Sequence, residues 1–232
     1  MKSASLRKQA GRMHWLILVA AIVVVILATL TATVVIQDDG AEPVNTEETI
    51  AAEYRAALAS EHSPTLGDPA AKVHIVEVLD PACETCALFY PMVKNWMQEV
   101  PGQLRLSVRH VPFHRGSEYA VRILEASREQ GKYWETLEAM LATQRQWTQN
   151  HTVIPERIAP AIASVGLDMA KLEDDMKRMD VLVRMERDQK DAIFLQVKAT
   201  PEYYVNGRPL PSFGRDQLAN LVREELAKAY PR

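Results

Sequence analysis

Apart from Cys83 and Cys86, the 232-residue chain contains no cysteine. That scarcity leaves a zinc site, which normally needs four ligands, without a second cysteine pair to complete it. The pair is also too close in sequence to gain much as a structural staple, because so short a loop loses little entropy when closed. Positive charge is not in excess either: 27 lysines and arginines face 30 acids, for a formal net charge of −3. A nucleic-acid partner would call for a basic surface, so this balance argues against one. The chain has no internal repeat and no low-complexity tract. It has one long hydrophobic run, and no small-x-small cleavage site follows it.

That run, Trp15 to Ile36, is long enough to cross a bilayer as a helix. Lys2, Arg7, Lys8 and Arg12 precede it, whereas Asp38, Asp39, Glu42, Glu47 and Glu48 follow it. Basic residues stay inside, and a cleavable signal would normally have a shorter apolar region and a cleavage site. The expectation is a cytoplasmic tail over 1–14, an uncleaved single-pass anchor over 15–36, and everything beyond it outside the cytoplasm, where disulfides persist.

Residues 37–65 read as a polar linker and then an amphipathic helix. Asn45 with Glu48 forms a capping box, and Ile50, Ala51, Tyr54, Ala57 and Leu58 share one face. Such a stripe must be buried. It either packs on its own domain or meets its copies, giving a homo-oligomer through Ile50–Leu58.

The stretch Val73-His74-Ile75-Val76-Glu77-Val78-Leu79 reads as a strand, and a helical pattern leaves Cys83-Glu84-Thr85-Cys86. Cysteines three apart where a strand hands over to a helix favour redox chemistry. The helix N-terminus stabilises a thiolate on the first sulfur, and the second is placed to close a disulfide. Glu77, alone among apolar residues, is either exposed or a buried carboxylate with a raised pKa and a task. Leu104–Val111 alternates as a second strand, parallel to the first across the active-site helix. Pro91 should kink that helix. His110 and His114 lack cysteine or carboxylate partners at ligand spacing, so no metal is expected there. From Ser117 to Leu195 the pattern reads helical throughout, including single helices over Lys132–Trp147 and Pro155–Val165. Asn206-Gly207 is a hairpin turn signal, and Phe213–Ala229 reads as a last amphipathic helix.

Three stretches taken together resemble the DsbA-like members of the thioredoxin superfamily. They are Gly67-Asp68-Pro69-Ala70-Ala71-Lys72-Val73-His74-Ile75-Val76-Glu77 leading to Cys83-Glu84-Thr85-Cys86, then Arg109-His110-Val111-Pro112-Phe113, then Thr200-Pro201-Glu202-Tyr203-Tyr204-Val205-Asn206-Gly207. The resemblance covers about residue 66 to the C-terminus. It implies an α/β thioredoxin-like fold over 66–232, with a helical insertion at about 115–195. It further implies a cis bond at Thr200–Pro201 facing the cysteines and pairing with extended substrate. Glu77, six residues before the first cysteine, would relay protons to Cys86.

The expected function is thiol–disulfide exchange on protein substrates in the bacterial periplasm, from a domain anchored in the inner membrane and served by a membrane redox partner. Cys83 is the exposed nucleophile, Cys86 the buried resolving thiol, and the disulfide itself the only redox group, with no organic cofactor. Glu84 and Thr85 replace the proline and histidine of DsbA. An acid beside Cys83 should raise its pKa and make the disulfide less oxidising, which leans the reading towards reduction or isomerisation. A DsbA-type oxidase is the alternative, and a copper-handling protein or redox holdase is the non-enzymatic one.

Overall fold

The computed structural model describes residues 46–231. The expected tail, the anchor and the linker up to residue 45, with its Asn45 cap, lie outside the described residues. Among the described residues no helix is long and apolar enough to cross a membrane. The chain divides into two units, Met1–Thr49 and Ile50–Arg232, and the fold is that of the second.

Five strands make its sheet: β1 (Thr65–Gly67), β2 (Val73–Leu79), β3 (Leu104–His110), β6 (Glu202–Val205) and β7 (Arg208–Pro209), ordered β1-β3-β2-β6-β7. Two further strands, β4 (Thr148–Gln149) and β5 (Thr152–Val153), form a separate hairpin. The largely aliphatic run of β2, broken by His74 and Glu77, occupies the centre, as a strand covered on both faces should. It lies parallel to β3, from Val73 opposite Leu104 to Leu79 opposite His110. The helix α2 (Glu84–Glu99) makes the crossover, and Pro91 sits inside it without ending it. On its other side β2 pairs antiparallel with β6. Asn206 and Gly207, both with positive φ, turn β6 into β7.

The two faces of the sheet bury different sets of side chains. Val73, Ile75, Leu79, Leu106 and Val108 pack with Phe89 and Val93 of α2, and with Leu218, Leu221 and Val222 of the last helix, Arg215–Ala229. Each such aliphatic side chain contributes about 1.5–3 kcal/mol when fully buried. Val76 and Val78 face the opposite way, towards Leu58, Tyr204 and Ala192. Helix α1 (Thr46–Leu58) therefore lays part of its stripe on its own sheet: Ala57 and Leu58 are buried, and the Tyr54 hydroxyl donates to the Gly207 carbonyl at 3.2 Å. Of the stripe expected to support self-association, this contact covers Ala57 and Leu58 and partly covers Tyr54, while Ile50 is 53% exposed.

Residues 115–195 form the insertion. It runs α3 (Ser117–Ser127), α4 (Tyr133–Ala142), α5 (Gln144–Trp147), the β4–β5 hairpin, α6 (Ile158–Ala161), α7 (Met169–Asp175) and α8 (Met179–Phe194). The sequence reading was too uniformly helical here. The helix expected over Lys132–Trp147 breaks at Thr143 (φ −104°, ψ 9°). The one expected over Pro155–Val165 is a single α-turn between two 3₁₀ turns, with Pro160 unable to donate a helical hydrogen bond. Asn150 and His151 take left-handed backbone at the tip of the hairpin, a two-residue turn between Gln149 and Thr152. An ionic cluster fastens α8 to β3. Arg109, 2% exposed, pairs with Asp188 at 2.8 Å and with Asp191, and donates to Ser60 and Ser63. Asp188 also accepts from the His110 amide at 2.8 Å and hydrogen-bonds His62.

Candidate active site

Cys83 is the N-cap of α2, with extended backbone (φ −79°, ψ 118°), and Cys86 lies in the first turn. Both are free thiols. The polarity of the pair is the expected one, although Cys83 is less open than anticipated: 5% of its surface remains accessible against none for Cys86. Its Sγ donates to the Thr200 carbonyl at 3.1 Å. The Thr200–Pro201 peptide is cis. Thr85, Thr200, Pro201, Leu210 and Phe213 line a cleft of about 340 Å³ beside the pair. Phe213 is 54% exposed and stacks on Phe89 of α2, centroids 4.9 Å apart.

The titration of the two thiols is shifted in opposite directions. A hydrogen bond from Cys86 lowers the Cys83 thiol, from 9.0 to about 5, against the opposing effect of burial. The Thr200 side chain and the amides of Cys86 and Thr85 add to the lowering, as donors at a helix N-terminus should. Burial pushes Cys86 far up, and the charges of Glu77 and Cys83 push it further. The charge of Glu84, beside Cys83, is not among the main influences on it. Its carboxylate turns to His151, 3.0 Å from Nδ1.

Glu77 is wholly buried on the α2 side of β2, and neither carboxyl oxygen has a hydrogen-bond partner. Burial raises its pKa from 4.5 to about 8, and a Cys83 thiolate raises it further. Tyr203 stands directly opposite across the ladder and opposes the rise, although its hydroxyl makes no hydrogen bond of normal geometry. A buried unpaired carboxyl is costly to keep, and its charge acts on Cys86. Glu77, Cys83, Cys86, Thr85, Thr200 and Pro201 thus form one site, with Glu84 at its edge.

Two residues that hold this site were missed. Asp80, fully buried, accepts from the amides of Ala82, Phe113 and His114 at 2.8–2.9 Å, from His114 Nδ1 at 2.7 Å and from the Ser117 hydroxyl. It ties the loop after β3 to the start of the cysteine turn. The Asp-Pro dipeptide at a strand end signals such a turn; the long-range partners carry no local signal. Gln144, from α5, donates to the carbonyls of Pro81 at 2.8 Å and Cys83 at 3.0 Å. Nothing near it in sequence announces this.

A family model described as thioredoxin matches residues 59–223. The structure is similar to a thioredoxin-like oxidoreductase from Silicibacter pomeroyi DSS-3, 26% identical with a TM-score of 0.65, over 75% of this chain and 98% of that one. In sequence the chain is 24% identical to disulfide bond formation protein D of Bacillus subtilis, over 70% of this chain and 77% of that protein. It is also 31% identical over 144 residues to the Na(+)/H(+) antiporter NhaA of Herminiimonas arsenicoxydans, covering 62% of this chain and 22% of that protein. The chain therefore spans about a fifth of the length of the antiporters that it matches. With a central β2–α2–β3 unit, a redox-type cysteine pair at the helix start, a cis-proline strand beside it and a family match over most of its length, the chain belongs to the thioredoxin family.

Proposed function

We propose that the protein catalyses thiol–disulfide exchange on protein substrates outside the cytoplasm, held at the bacterial inner membrane by residues 15–36 and coupled to a membrane redox partner. The observation that carries the reading is the asymmetry of the pair: Cys83 keeps 5% of its surface open and its Sγ lies on the carbonyl of Thr200, which lines the cleft, while Cys86 is fully covered. The Cys83 thiolate attacks one sulfur of a substrate disulfide, forming a mixed disulfide and expelling the other sulfur as thiolate. Cys86 loses its proton to Glu77 and attacks Cys83, which breaks the mixed disulfide and releases the second substrate thiolate. The substrate gains two electrons and the pair becomes a disulfide; the reverse sequence oxidises a dithiol. Glu77 suits the relay: forming the mixed disulfide removes the Cys83 charge that helps hold its proton, so Glu77 first releases that proton to solvent and, as a carboxylate, then takes the one from Cys86. No organic cofactor takes part, since the disulfide carries both electrons.

For direction, the thiol at about 5 lies between thioredoxin (about 7) and DsbA (about 3.5). Their potentials, about −270 and −120 mV, bracket an intermediate poise of roughly −200 mV. That value favours isomerisation over one-way transfer. The low Cys83 pKa favours net oxidation as the second reading. Equilibration of the chelator-treated protein with glutathione tests this: a potential near −200 mV is expected. A value near DsbA's returns the oxidase, one near thioredoxin's the reductase, and failure to exchange with glutathione removes the activity.

A further inference from the structure

Three side chains from distant parts of the chain meet beside the cysteine pair. Glu84 opens α2, His114 lies in the loop after β3, and His151 stands at the tip of the β4–β5 hairpin. One donor atom from each lies within 4.8 Å of those of the other two. The backbone holds loop and hairpin together: Arg115 bridges Thr152, and the Val153 amide donates to the Arg115 carbonyl at 2.9 Å. Gly116 permits this approach. Its φ is +77°, and a Cβ there would meet the Val153 Cβ at 3.2 Å. His114 is fixed from behind, its Nδ1 donating to the buried Asp80 carboxylate at 2.7 Å. The ring's Nε2 then carries the lone pair that a metal ion needs, and a carboxylate behind a histidine is how ligating imidazoles are oriented.

We propose that Glu84, His114 and His151 form a binding site for a divalent transition ion, best matched by zinc. Two imidazoles and a carboxylate are a zinc donor set, and three protein ligands leave a position open to water or another ligand. Ligand bonds of about 2.0–2.2 Å place donor atoms roughly 3.3 Å apart; Glu84 and His151 already stand 3.0 Å apart, so the adjustment falls on their approach to His114. His151 and Glu84 have the freedom for it, with side chains 68% and 46% exposed. The alternative is a surface ion pair between these two, worth about 0–1 kcal/mol. It accounts for their contact but not for His114, held at the same point by Asp80. The sequence set His114 beside His110 and found no partners for either. His110 is in fact buried, its Nε2 bonded to the Tyr133 hydroxyl at 2.8 Å, and the partners of His114 come from α2 and the insertion. An ion here fastens the hairpin and the loop to the helix that carries Cys83, one residue away.

The test uses the full-length chain in detergent with Cys83 and Cys86 oxidised, so that no thiolate competes. Titration with zinc chloride should show one ion per chain. Cobalt(II) should give ligand-field bands without the charge-transfer absorption of a thiolate ligand. Glu84→Gln and His151→Asn should each weaken zinc binding by about tenfold or more; asparagine tolerates the left-handed backbone at position 151, so folding is preserved. No zinc uptake by the oxidised wild type, or uptake unchanged in both variants, overturns the proposal. Thiol exchange is not part of the readout, so this result stands apart from that of the redox reading.

Discussion

Glu77 and Cys83 are the residues whose environments make the sharpest predictions. A carboxyl raised from 4.5 to about 8 keeps its proton in the folded protein where the unfolded chain has released it. Its contribution to stability is complete below about pH 4.5 and is lost as pH rises through about 8. Glu77→Gln should therefore stabilise the protein near neutral pH, by about 1–3 kcal/mol, and flatten the pH dependence over that window in urea unfolding. The same variant should slow resolution of mixed disulfides while leaving their formation intact. Cys83 has the opposite sign. Its depressed pKa stabilises the reduced fold above pH 9, and that contribution disappears as pH falls through about 5. Alkylation of the reduced protein should accordingly modify Cys83 first, with a midpoint near pH 5. Cys83→Ser should abolish disulfide transfer, and Cys86→Ser should trap mixed disulfides; preferential alkylation of Cys86 would reverse the two roles.

Among the elements, α8 depends on β3 through one buried cation. Arg109→Ala would leave Asp188, 3% exposed, without its main counter-charge, at a cost of about 3–5 kcal/mol. A loss below about 1 kcal/mol in urea unfolding would show that His62 and the His110 amide suffice. Gln144→Leu should act differently: it frees the carbonyls of Pro81 and Cys83, and should lower exchange rates more than stability. The central strands, the cysteine turn, the proline stretch and its Asn-Gly turn were legible because each is written in a run of adjacent residues. The breaks at Thr143 and Ile162 were not, because an apolar period continues across them while the backbone does not. Asp80 was legible only as part of an Asp-Pro turn, and the roles of Gln144 and Arg109 were not legible. Their partners lie 34, 63 and 82 residues away, beyond the reach of any local pattern.

For the molecule as a whole, the first prediction is topological. A phosphatase reporter fused after Arg232 should be active outside the cytoplasm, as the charges flanking residues 15–36 require; recovery of a soluble chain trimmed near residue 33 would remove the anchor and leave only export. The order of the sheet carries a further consequence. Its two outer strands are β1, three residues long, and β7, two residues long with Pro209 in it. Proline cannot donate to a neighbouring ladder, and edges this short offer an incoming strand almost nothing to pair with. Should the protein act on incompletely folded chains as proposed, edges this short keep it from recruiting their unpaired strands into a growing aggregate. On the proposed function, contact with such chains would be confined to the cleft, where it would end in sulfur chemistry and release.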